Sequence, residues 1–153
     1  MINISVFSEE KAWSKRLKNK NLFFKKVCKA FPKKYRFSNK KVSLSLLLSN
    51  NKNIKKLNKN FRNKDKSTDI LSFPSSKKIT ISNNTYLGDI IISYEYLDKP
   101  KSQNLKLFNE KVIKLFIHGF LHLLGFDHKK NNDYYKMLTE EDILYKHVKS
   151  KLN

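Results

Sequence analysis

Apolar and polar positions alternate in two early segments of the chain. Ile2, Ile4 and Val6 are separated by polar residues and predict a first strand, and Val42, Leu44, Leu46 and Leu48 predict a second over 41–48. Between them, residues 21–31 place Phe24, Cys28 and Phe31 on one helical face, and Pro32 ends that helix. After the cap signal of Asn50 and Asn51, Ile54, Leu57 and Phe61 recur at helical spacing, which predicts a short helix carrying Arg62 at its end. A polar loop over 63–68 leads into a short strand at 69–73 stopped by Pro74, and Asn83 and Asn84 mark a turn before a strand at 87–93. The break at 98–100 precedes a long helix over about 103–124, which Gly125 ends as a C-cap glycine. A final helix over about 132–148 offers Met137, Leu138, Ile143 and Leu144 as core positions.

The order β, α, β, α, β, β, α, α predicts an α+β fold, a small mixed sheet with helices mainly on one face. No repeat, linker or low-complexity tail divides the chain, so residues 1–153 read as one domain. That length supports a core needing neither disulfide nor metal merely to hold together.

Composition narrows the setting. The single Cys28 has no partner for an internal disulfide and reads as a small core residue in a reducing compartment. Residues 1–10 lack the basic region and apolar stretch of a secretory signal, and the longest apolar run, 115–126, is shorter than the ~20 residues that span a bilayer. The expectation is a soluble cytoplasmic protein with no membrane partner. A formal charge of +20 invites a nucleic-acid reading, because cations that neutralise phosphates release counterions. Yet only Arg16, Arg36 and Arg62 among the 33 basic residues are arginines, and Asn and Ile are heavily used, a pattern that an A/T-biased genome produces by itself. Charge alone therefore leaves RNA, DNA and acidic membranes open.

The chemistry concentrates in His118-Gly-Phe-Leu-His-Leu-Leu-Gly-Phe-Asp-His128, which holds three of the four histidines. On a helix, His118 and His122 stand about 40° of arc and ~6 Å of rise apart, so one ion is within reach of both. Gly125 lets the chain leave in a left-handed turn, bringing His128 back as a third ligand. Three imidazoles with an open fourth position describe a catalytic zinc site, whereas a structural site is normally closed by four protein ligands. A lone histidine on an apolar helix would usually be a hydrogen-bonded core residue; three at this spacing point to metal. His147, in a Lys-rich helix, has no such company and reads as solvated. The spacing is that of the metzincin motif, except that Gly119 stands where a protease carries its general-base Glu. Loss of that carboxylate, worth about 10²–10⁴-fold, demotes a peptidase reading.

Three stretches, in order, carry a family resemblance. They are Leu57-Asn-Lys-Asn-Phe-Arg-Asn-Lys-Asp-Lys-Ser-Thr-Asp-Ile-Leu-Ser-Phe-Pro74, Leu87-Gly-Asp-Ile-Ile-Ile-Ser93, and the histidine segment itself. The chain resembles the YbeY family of zinc-dependent endoribonucleases, also called ribosomal RNA maturation factors. The resemblance implies an α+β domain with a metzincin-like three-His zinc site on a long helix and the following turn. It implies one bound zinc ion and cleavage of single-stranded RNA, in processing the 3′ end of small-subunit ribosomal RNA and in ribosome quality control. Implied partners are ribosomal RNA, the small ribosomal subunit and ribosome-associated proteins. His118, His122 and His128 match the zinc ligands, and Arg62 matches an arginine that lines the cleft and is needed for activity. Phe61 and Phe126 stand where relatives usually carry Tyr, and Ser67 where they carry Pro.

The mechanism expected on that footing combines zinc-bound water with Arg62, whose guanidinium grips two phosphorane oxygens. The alternative is an Arg62 that merely salt-bridges Asp65 or Asp69. Asp69, Asp89 and Asp127 adjoin apolar sequence, where each either orients a zinc-bound histidine, serves as base, or caps a turn. Glu140, Glu141 and Asp142 read as a solvated helix face. A second class of function is a non-catalytic ribosome-assembly factor, in which the metal fixes the fold and the basic surface binds ribosomal RNA.

Overall fold

The computed structural model describes residues 1–153. Four strands form one mixed sheet, β1 (Ile2–Ser8), β2 (Val42–Ser49), β3 (Ile70–Pro74) and β4 (Thr85–Ser93), in the order β1-β2-β4-β3. β2 runs parallel to both β1 and β4, while β3 pairs antiparallel with β4 and forms a free edge. Parallel neighbours require crossovers, and helices supply them. α1 (Trp13–Arg16), α2 (Lys20–Lys29) and α3 (Lys33–Arg36) lie between β1 and β2, and α4 (Asn51–Arg62) follows β2. After β4 come α5 (Tyr94–Leu97), α6 (Leu105–Leu123) and α7 (Asn131–Leu152).

The alternation in β2 dictates a buried central strand. Val42, Leu44, Leu46 and Leu48 are all buried, and they meet Phe24 and Val27 of α2 and Phe116 and Phe120 of α6 in a core that also takes Ile90 and Ile92 from β4. The opposite face is covered by α4 alone, through a small cluster of Ile54, Leu71 and Ile91 flanked by Leu47, Leu57 and Phe73. The α+β reading with helices mainly on one face is therefore what the structure has. Cys28 sits in the main core, where burial pushes its thiol up to about 12 and keeps it unreactive.

Side-chain caps fix the helix starts. Asn50 Oδ1 accepts from Asn53 N at 2.8 Å and begins α4, and Asn104 Oδ1 accepts from Leu107 N at 2.9 Å and begins α6. At the other end of α4, Asn63 turns left-handed at φ 55°, so Arg62 is the last helical residue, as its sequence implies. α7 corrects one expectation. Met137 and Leu144 are buried, whereas Leu138 and Ile143 are 42% and 49% exposed. A helix turns about 100° per residue, so positions 138 and 143 fall on either side of the stripe shared by 137, 144 and 148.

Candidate metal centre

α6 packs its last two turns on the β3–β4 edge of the sheet. At Gly119 the helix lies close on the sheet: a Cβ there would meet Ile70 Cδ1 at 2.8 Å and Ile90 Cγ2 and Ser72 Oγ at 3.1 Å. The residue between His118 and the rest of the turn is thus the one that lets helix and sheet touch. Beyond Leu123 the helix closes in a Schellman turn: Gly125 N donates to His122 O at 3.0 Å and Phe126 N to Leu121 O at 3.1 Å, with Gly125 at φ 97°. Only glycine adopts that angle without strain.

The turn assembles the histidines. His118, His122 and His128 each offer a ring nitrogen, and the three nitrogens all lie within 4.8 Å of one another. His122 Nδ1 donates to Phe126 O at 2.9 Å, and a carbonyl only accepts, so Nδ1 carries the proton and Nε2 the free lone pair. His118 Nδ1 lies 2.5 Å from Glu141 Oε1, which imposes the same tautomer. The two Nε2 atoms then face each other at 3.0 Å. Two lone pairs at that distance repel, and a cation between them removes the repulsion. Tetrahedral zinc with bonds of ~2.0–2.1 Å separates its ligand atoms by about 3.3 Å, so the observed spacing fits that ion. Burial, followed by the neighbouring His118, lowers the His122 pKa from its ordinary value and favours the neutral ring that a metal requires. This group can hold a metal ion.

Of the three aspartates, Asp127 and Asp69 take the turn-capping alternative, and Asp89 pairs with a tyrosine. Asp127 Oδ1 accepts from His128 N at 2.8 Å and so caps the turn that presents the third imidazole; it lies 3.9 Å from His128 Nδ1. Asp69 Oδ1 accepts from Ile70 N and Thr68 Oγ1, closing its own turn. Asp89 faces the α4 side of the sheet, away from the imidazoles, and accepts from Tyr86 OH at 2.6 Å. A register shift opposite Ser43 and Ser45 puts Tyr86 and Asp89 on one face, although three residues of regular strand would set them on opposite faces.

Arg62 forms neither salt bridge considered for it. Asp65 instead sits near Lys55 and Lys59, and Arg62 Nη2 donates to Ser72 O at 2.8 Å with its guanidinium 5.6 Å from the Phe73 ring centroid. Ser72 touches both neighbours: its carbonyl holds Arg62, and its side chain lies beneath Gly119.

The acidic run of α7 is the main correction to the sequence reading. Glu140 accepts from Tyr35 OH and from Lys34 Nζ, the latter at 3.3 Å, and Glu141 reaches His118. Only Asp142 belongs to a solvated face, paired with Lys146 at 2.8 Å. A signal for Glu141 was present in the pattern: Met137, Leu144 and Val148 form the buried stripe of α7, and 141 falls on the same stripe. A carboxylate in an apolar stripe needs a partner. His147 is half-buried near the far end of α7 and is not in the histidine group.

A mixed sheet covered by helices, with three convergent imidazoles at the end of α6 and the turn after it and Gly119 where a peptidase carries Glu, defines an α+β domain with a three-histidine group that could hold a metal ion. Residues 5–149 match the family described as Endoribonuclease YbeY. The chain is 57% identical over 152 residues to the Endoribonuclease YbeY of Pelagibacter ubique (strain HTCC1062), covering 99% of both chains. It is 37% identical over 129 residues to that of Sulfurihydrogenibium sp. (strain YO3AOP1), covering 80% of this chain and 84% of the relative. Its fold matches the solution structure of TM1509 from Thermotoga maritima with a TM-score of 0.58 and 25% identity, over 99% of this chain and 91% of the other. The chain belongs to the YbeY family of endoribonucleases. No helix is long and apolar enough to cross a membrane.

Proposed function

We propose that this chain is a zinc-dependent endoribonuclease that cleaves single-stranded RNA. Its proposed role is processing of the 3′ end of small-subunit ribosomal RNA and ribosome quality control. The observation that carries the metal dependence is the pair of Nδ1 contacts, His118 to Glu141 and His122 to Phe126 O, with the two Nε2 atoms left 3.0 Å apart beside His128.

His118, His122 and His128 would hold the ion, with Phe126 O fixing the His122 ring and Asp127 fixing the backbone at His128. When bound there, zinc would supply Lewis acidity towards a phosphodiester and would bring the pKa of a bound water near ~7. Arg62 is exposed and anchored through a single N–H to Ser72 O, and its remaining N–H groups have no protein acceptor. They serve the substrate phosphate, where a planar guanidinium binds two oxygens at once. The excess of lysine adds sequence-independent attraction for the strand.

The test is cleavage of a single-stranded ribosomal RNA fragment by zinc-loaded protein, chelator-treated protein and the His118→Ala variant. Cleavage by the first alone supports the proposal. Equal rates in all three would overturn it, and RNA binding without metal-dependent cleavage would favour the assembly-factor reading.

A further inference from the structure

We propose that Glu141 is a positioning residue of the metal centre: it holds His118 in the Nδ1–H tautomer, so that Nε2 is presented to the ion. This rests on the metal-site reading above and assigns the site a fourth residue, from a different helix.

The neutral histidine side chain modestly favours the proton on Nε2, the nitrogen that must be bare for His118 to ligate beside His122. An acceptor at Nδ1 reverses that preference. His122 obtains one from its own turn, through Phe126 O. His118 lies a full turn earlier on α6, out of reach of that carbonyl, and its partner comes from α7 as Glu141 Oε1 at 2.5 Å. An ionised carboxylate accepts only, so the contact selects one tautomer; it also sets the ring plane and makes Nε2 a stronger donor to a cation.

The carboxylate is held in place on both sides. Met137 and Leu144, one turn before and one turn after it, are buried in the core, and α6 and α7 pack along each other. The adjoining Glu140 takes Tyr35 OH and Lys34 Nζ from α3, which fixes the rotation of α7 about its axis. Tyr35 in turn meets Phe120 of α6 edge-on, with ring centroids 6.2 Å apart. Glu141 is about one quarter exposed, so its contact with His118 is partly shielded from water. The two neighbouring carboxylates on α7 thus have separate roles, Glu140 locking the helix and Glu141 acting on the imidazole.

The experiment compares unsubstituted protein, Glu141→Ala and Glu141→Gln. Zinc affinity is read by competition with a chromophoric chelator, the His118 tautomer by ¹⁵N NMR of the metal-free protein, and folding by circular dichroism. Glu141→Ala should bind zinc about 10–100-fold more weakly and shift His118 towards the Nε2–H form, with the fold retained. Glu141→Gln keeps an acceptor oxygen, so it should keep the tautomer and lose less affinity. If alanine fails to fold, the near-isosteric glutamine variant decides, because intact tautomer with affinity between wild type and tenfold weaker is then the supporting result. Zinc affinity within twofold of wild type and an unchanged tautomer in Glu141→Ala, or tautomer loss in Glu141→Gln, would overturn the role of Glu141 alone. Absence of zinc binding by the unsubstituted protein would instead overturn the metal reading, and this role with it.

Discussion

A Cβ on Gly119 would stand 2.8 Å from Cδ1 of Ile70. The residue that separates this motif from the peptidase pattern is therefore set by packing as well as by chemistry. A side chain at 119 would point into the sheet between Ile70, Ser72 and Ile90. Gly119→Glu should cost about 3 kcal/mol or more, through overpacking and a buried unpaired carboxylate, and should confer no peptide hydrolysis. Gly119→Ala should forgo the ~1 kcal/mol that alanine normally adds in a helix interior. Urea denaturation of both variants checks this, and a full alanine gain would contradict the packing described.

Zinc binding should be visible as stability. With free ion at about 100 times its Kd, a bound ligand adds ~2.7 kcal/mol, roughly 5–10 °C in Tm for a domain of this size. The shift should appear on adding zinc to metal-free protein and vanish in His118→Ala. A thermal melt that does not respond to zinc would remove the basis for the three-imidazole site.

Arg62 should separate catalysis from metal binding. It touches the protein through one hydrogen bond to Ser72 O, so Arg62→Lys should change stability by no more than ~1 kcal/mol. Zinc affinity should be unchanged. RNA cleavage should fall by about 10²-fold or more, because an ammonium cannot reproduce the two-pronged grip on a phosphate. Turnover near wild type would assign Arg62 to anchoring β3 rather than to the reaction.

Acid should weaken the metal-free fold through His122. Its folded-state pKa is depressed, first by burial and then by His118, below the ordinary 6.5. The unfolded chain then takes the proton first, so this contribution is full above about pH 6.5 and is lost as pH falls through the folded value. Unfolding free energy measured from pH 7.5 downwards should decline more steeply in wild type than in His122→Gln. Parallel profiles would contradict the assignment.

How much of this was legible in the sequence depended on whether the signal was local. The alternation of β2, the capped start of α4 and the His–Gly–His spacing each follow from residues within a few positions of one another, and the structure has all three. Partners supplied from elsewhere in the fold were hidden. The register shift that gives Asp89 to Tyr86 is made by two strands together, and the bond from Arg62 to Ser72 O depends on where β3 ends the sheet. Glu141 was hidden differently: its stripe position was readable, but two adjacent acidic neighbours made the run look like ordinary surface. The four-residue helices α1, α3 and α5 are too short for periodicity to register.

The Schellman turn at Gly125 has a further consequence for assembly. The three imidazoles span eleven consecutive residues, so bringing them together closes only a short loop, at small entropic cost. Glu141 lies 23 residues beyond His118, so it reaches that imidazole only when α6 and α7 are docked. Gathering the imidazoles is thus a local event, whereas orienting His118 for an ion is a global one. A chain loosened by mild denaturant should therefore hold metal more weakly than the docked fold, and that difference is what couples zinc to stability.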